Sequence, residues 1–195
     1  IRRPPRSTLF PYRRSSDLLR LGTGFGQETT QDEVLTGFLR AAIGAVEART
    51  GKVLITRSFG WTLSFWRDLS AQGLPMAPVT TINSVTVVAR DGSETLAGPE
   101  TYWLEKDSQR PRLRSTGAGL PGIPTSGSVV IRFDAGYGVA WDDVPPDLRQ
   151  AVMLLAAHYY EYRNETSLSD GCMPFGVTSL IERYRIMRIG TGGLR

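Results

Sequence analysis

The chain has 195 residues, 41% of them hydrophobic and 22% charged, enough for one substantial core or two small ones. Its formal charge of +4 comes from 23 basic against 19 acidic residues, but Arg2, Arg3, Arg6, Arg13 and Arg14 with Asp17 all fall in residues 1–18, which leaves 18 of each sign and no basic surplus to offer nucleic acid. No run approaches the ~20 apolar residues of a membrane-spanning helix, so no membrane partner is expected, and the single cysteine, Cys172, excludes an internal disulfide framework.

Residues 1–18, IRRPPRSTLFPYRRSSDL, have neither helical nor strand period. They look like the translation of a sequencing-adaptor oligonucleotide set ahead of an incomplete gene and are left out of the fold reading. The alternative is a basic arm, disordered until it meets an anionic partner. Leu18 to Leu21 can form a short helical turn. A first long helix is predicted over about Gln31 to Thr50: Thr30 and Glu33 match the reciprocal capping box, and Leu35, Phe38, Leu39, Ala42, Ile43 and Val46 form one apolar face. Gly51 supplies a left-handed stop.

From Lys52 the period changes to two. Phe59, Trp61, Leu63 and Phe65 alternate with small polar residues, so a strand with one buried face follows. Further strands are expected at Ile82 to Arg90, Thr101 to Glu105, Arg110 to Arg114 and Ser128 to Phe133. Asp91-Gly92 is a two-residue hairpin signal that pairs the Ile82 strand with Glu94-Thr95-Leu96. The Pro and Gly from Ser115 to Gly127 read as a loop. A second long helix runs from Pro146, a residue suited to a first turn, to about Asn164, with Leu148, Ala151, Val152, Leu155, Ala156 and Tyr159 on its apolar stripe. A last helix is predicted from about Val177 to Ile189, and 190–195 form a flexible tail. The helices on either side of the strands must meet.

The fold class expected is therefore α+β: a small bundle of three main helices (19–51 and 141–189) with an inserted antiparallel β-sheet subdomain (52–140) curled over its own apolar face.

Catalytic chemistry has few residues to work with. His158 is the only histidine, so the sequence offers no histidine cluster and no zinc set with Cys172. A packing role on its helix flank explains it better than a hydrolase centre, because a general base needs partners. Gly22-Thr23-Gly24-Phe25-Gly26 lacks the preceding strand and the lysine of a phosphate loop. Asp142-Asp143 offers too few oxygens for a hard cation and reads as a solvated turn. Arg110, Arg112 and Arg114 alternate along one strand face and, with Trp61, Phe65, Trp66, Tyr102 and Trp103, make a nucleic-acid-binding module the alternative function. A solvated strand edge and a β core account for the same residues.

The last helix carries a sharper signal. Leu180, Ile181, Tyr184, Ile186, Met187 and Ile189 spread around it, with Arg183, Arg185 and Arg188 between them. A helix apolar on more than one side needs cover on more than one side, from its own domain or from another subunit.

The stretch VPPDLRQAVMLLAAHYYEYRNE, followed by MPFGVTSLIERYRIMRI, resembles the C-terminal half of the head-tail connector (adaptor) proteins of long-tailed phages and of alphaproteobacterial gene transfer agents. The resemblance continues upstream through LRLGTGFG, QDEVLTGFLRAAIGAVEARTGKVL and FDAGYG, about three quarters of the chain in order. It implies a virion assembly protein without catalytic activity, cofactor or metal, made in the bacterial host cytoplasm and placed at the head-tail interface. It further implies a homo-oligomeric twelve-fold ring beneath the portal protein, with its other face on a downstream connector, stopper or tail protein and DNA passing through the lumen as cargo. In such proteins the C-terminal segment engages the portal. Pro174, Phe175, Leu180, Ile181, Tyr184, Arg185, Met187 and Arg188 stand in the matching segment and are the portal-contact candidates.

Overall fold

A computed structural model describes residues 32–163 and 173–185. Outside the described residues lie segment 1–18, the Leu18 to Leu21 turn, Gly22 to Gly26, Thr30, Cys172, Met187, Arg188 and the 190–195 tail. The chain separates into two compact units, one of Ile1–Gly51 with Pro145–Arg195, the other of Lys52–Val144. Among the described residues there are three α-helices and two antiparallel sheets, of four and three strands. The fold is thus α+β, as the change from helical to strand period and back predicts.

In the helical unit, α1 spans Asp32–Thr50, α2 Pro146–Glu161 and α3 Phe175–Ile181. Asp32 and Glu33 sit in the first turn of α1, where negative charge meets the positive end of the helix dipole. Leu35, Leu39, Ala42, Ile43 and Val46 are buried as their spacing predicts. Gly51 ends the helix at φ 66, its amide donating to the Glu47 carbonyl at 2.8 Å. On α2 the buried residues are Leu148, Ala151, Val152, Leu155, Ala156 and Tyr160. The last of these corrects the sequence expectation of Tyr159. Both tyrosines continue a stripe from Ala156 at helical spacing, but only Tyr160 meets Phe38 of α1, edge to face with centroids 6.0 Å apart. Helix α2 packs on both α1 and α3. Each buried Leu, Ile or Val contributes ~1.5–3 kcal/mol, more than propensity supplies to helices of this length.

The C-terminal helix is shorter than expected. It starts at Phe175 behind Pro174 and ends at Ile181. A 3₁₀ turn over Glu182–Tyr184 follows, and Arg185 is already extended at φ −70, ψ 136.

In the β unit, the four-stranded sheet has the order β1-β7-β3-β4 and the three-stranded sheet β2-β6-β5, from β1 Arg57–Leu63, β2 Ala71–Gly73, β3 Val79–Val88, β4 Glu94–Leu96, β5 Tyr102–Glu105, β6 Arg112–Ser115 and β7 Ser128–Ala135. Strand β2 has no counterpart in the sequence reading. The Asp91-Gly92 turn joins β3 to β4 as predicted, with Val88 opposite Glu94 and Thr86 opposite Leu96. Its loop holds three residues rather than two: Ala89 receives the Gly92 amide and donates to Ser93, and Gly92 takes φ 86, the left-handed position of a three-residue loop. Val129, Ile131, Phe133 and Ala135 alternate into the core with Val79, Val85, Leu113 and Trp66. Phe65, predicted on the buried face of β1, is instead 67% exposed. The strand ends at Leu63, and after a bend Trp66 takes the buried place, its Nε1 donating to the Pro121 carbonyl at 2.7 Å.

Candidate functional site

The candidate segment begins at Pro174, whose carbonyl accepts the Val177 and Thr178 amides at 2.9 and 3.0 Å and so starts α3. Val177, Ile181 and Tyr184 recur at four and three residues, and all are buried within the helical unit. Two portal-contact candidates, Ile181 and Tyr184, are therefore anchors of the segment rather than its outward surface. Phe175 is the opposite case. It is 88% exposed, beside Gly176, at the very start of the helix. Leu180 is half-buried, and Arg185 is exposed at the end of the 3₁₀ turn, with Glu182 3.6 Å away. Met187 and Arg188 lie outside the described residues.

Charge fixes the pose of this segment as well. Arg183 is ion-paired with Asp147 in the first turn of α2 at 2.5 Å, reaches the Tyr184 hydroxyl at 2.6 Å, and lies 4.8 Å from the Tyr184 ring centre. At this exposure the pair contributes ~0–1 kcal/mol, so its effect is direction more than strength. The sequence reading missed both Val177 and the Asp147 link. The spacing of 177, 181 and 184 could have shown the first; nothing local announces a pair 36 positions apart.

The alternative sites resolve differently. Arg112 and Arg114 lie in β6, while Arg110 precedes the strand and is not on its ladder. Glu105 of β5 faces them: its Oε2 accepts from Arg114 Nε at 2.7 Å, and its pKa is held down by that hydrogen bond and then by the charges of Arg114 and Arg112. Asp107 is lowered too, first by the Arg110 and Gln109 amides, then by Lys52 and Arg112. Arg114 is thus engaged by Glu105, and Arg112 lies within the electrostatic reach of Glu105 and Asp107. Of the aromatic group, Trp66 and Tyr102 are core and Trp61 is half-buried, but Phe65 and Trp103 are exposed and belong to different stretches of surface chain. His158 is half-buried with its ring 4.6 Å from that of Tyr162. Asp142 and Asp143 are exposed in a 3₁₀ turn, with Asp143 Oδ2 accepting the Ala140 amide at 2.9 Å. No group of three or more metal-ligating side chains occurs among the described residues, and no described helix is long and apolar enough to cross a membrane.

Lys52 escaped the sequence reading. It is 1% exposed, and its Nζ donates to the Ser108 carbonyl at 2.5 Å and to Gln109 Oε1 at 2.7 Å. Burial pulls its pKa below the ordinary lysine value, with Asp107 opposing. The ammonium staples the 107–110 loop to the start of the β unit.

No protein-family model and no curated protein matches the chain. Solved structures do. A chain in the neck of an empty gene transfer agent particle, computed with C6 symmetry, is 46% identical with a TM-score of 0.82, over 98% of this chain and 96% of that one. A chain in the virion of a native gene transfer agent particle is 45% identical with a TM-score of 0.83, over 98% and 96%. A chain in the neck of a native particle, computed with C12 symmetry, is 41% identical with a TM-score of 0.79, over 95% and 96%.

Proposed function

Since the chain belongs to the family of gene transfer agent neck proteins, we propose that it is the head-tail adaptor of such a neck, a structural component without catalytic activity. In this reading twelve copies form a ring under the portal protein, DNA passes through the lumen, and the other face of the ring receives the next connector or tail protein. The symmetry of the related necks supports a ring. The observation that carries the portal contact is Phe175: a large aromatic side chain, 88% exposed, on a segment pinned by Val177, Ile181, Tyr184 and the Arg183–Asp147 pair. Preorganising the segment reduces the ordering cost of binding, and an exposed aromatic anchor suits a partner's pocket. Phe175, Leu180 and Arg185 are the contact residues, with Pro174, Ile181 and Tyr184 holding them in place.

The test is co-sedimentation of the full chain with portal rings at two salt concentrations, using Phe175→Asp and Arg185→Glu. Both residues are exposed, so the variants should keep their far-UV circular dichroism and melting midpoint. Phe175→Asp is expected to weaken binding roughly tenfold or more, the scale of an interface hot spot. Arg185→Glu should act mainly at low salt, where surface charges are least screened. Unchanged binding by both folded variants would place the portal contact elsewhere on the chain.

A further inference from the structure

Helix α2 has a second apolar face. From Ala151 to Tyr160 it carries no Asp, Glu, Lys or Arg. One side of that run packs on α1 and α3. On the other side Leu154, His158 and Tyr162 follow one another at a spacing of four, which sets them in a single row. Leu154 is 41% exposed and Tyr162 40%, with half-buried His158 between them and in ring contact with Tyr162. The row reaches the start of α3, where a Cβ added to Gly176 would lie 4.0 Å from Leu154 Cδ1. Exposed apolar and aromatic groups gathered in one row mark an interaction surface in a way that single ones do not.

The related necks were computed with six-fold and with twelve-fold symmetry. In a closed ring of more than two copies, each subunit meets its two neighbours through two different surfaces. We infer that the Leu154–His158–Tyr162 row is one of these two surfaces and seats on the next copy of this chain. The inference rests on the ring proposed above, and not on docking to the portal. Leu154 and the two rings form an apolar and aromatic row with Glu161 and Arg163 at its Tyr162 end, the arrangement of an interface centre with a polar rim, whereas a phosphate-binding surface would need cations along the row. The row is only ~12 Å long at 1.5 Å per residue. It therefore falls short of the ~800 Å² per partner of a pair stable in solution, and the contact operates inside the assembled particle.

The test places the photoreactive residue benzoylphenylalanine singly at position 154, 162 or 175, in particles from cells whose own copy of the gene is replaced. Irradiation at 154 or 162 is expected to give a product of twice the 21.5 kDa chain mass that contains only this chain. Adducts to another virion protein would overturn the inference. So would incorporation at both positions with no larger product, since the row would then be covered by the chain's own segments. A second variant, Leu154→Glu, should remain folded yet be missing from purified particles, and its full presence there would also contradict the contact. Position 175 separates the two readings: homodimers at 154 with no portal adduct at 175 would keep the ring contact and sink portal docking.

Discussion

Replacing Leu155 with alanine tests whether α2 is the spine of the helical unit. Leu155 is 1% exposed in the middle of the helix that packs on both α1 and α3, so no neighbour can slide in without moving a second element. A buried Leu→Ala change of this kind costs about 3–5 kcal/mol, the sum of lost transfer energy and the cavity left behind. With a urea slope of ~1–3 kcal/mol/M, the unfolding midpoint should fall by roughly 1–5 M. Far-UV circular dichroism follows the helices. All four tryptophans, Trp61, Trp66, Trp103 and Trp141, lie in Lys52–Val144, so their fluorescence reports the β unit separately. The dichroism midpoint should carry the loss. Leu154→Ala is the internal control, one residue away and 41% exposed, and should change stability by no more than ~0.5–1 kcal/mol. If the two alanine variants unfold at the same urea concentration, α2 is not gripped between α1 and α3 and the burial argument fails.

Gly136 has φ 144, and a Cβ there would lie 2.4 Å from the backbone of Thr56; Gly136→Ala should therefore destabilise the β unit by ~3 kcal/mol or more, read as an earlier tryptophan transition, and a wild-type midpoint would refute the close approach. The β unit should also weaken in acid. Asp68 is held below its ordinary value by the Ser70 amide and hydroxyl, Asp91 by the Ser93 hydroxyl and amide, Asp107 by the Arg110 and Gln109 amides, and Glu105 by Arg114. Because the folded state favours the charged forms, their contribution is complete above the ordinary values of 3.8 and 4.5 and is lost as pH falls through the lowered ones. Thermal midpoints followed by tryptophan fluorescence should hold from neutrality to about pH 5 and drop below about pH 4; a midpoint that stays level down to pH ~2 would contradict these hydrogen bonds.

Where a residue's role is set within one turn of chain, the sequence was enough. The α1 face and its Gly51 stop follow from spacing and backbone freedom at glycine, and Asp91-Gly92 marks the β3–β4 turn though not its three-residue loop. Roles decided between distant segments were not legible. Tyr159 and Tyr160 are equivalent by period, and Phe38, more than a hundred residues earlier, selects Tyr160. Alternation carries Phe65 into the core because it cannot see that β1 stops at Leu63. The arginines of β6 look like a basic stripe until strand pairing brings Glu105 across from Arg112 and in reach of Arg114. In the C-terminal segment, the family resemblance marked Phe175, Ile181 and Tyr184 alike. Only the packing of α3 against α2 separates the exposed residue from its two anchors.

The most direct test of the adaptor reading is a cryo-electron-microscopy reconstruction of the neck of a particle that carries this chain, refined with and without imposed symmetry. The account predicts twelve copies in one ring directly against the portal, with Phe175 and Arg185 of every copy on the portal side. Finding the chain in a ring that does not touch the portal, or touching it through the β unit with Phe175 left in solvent, would contradict it.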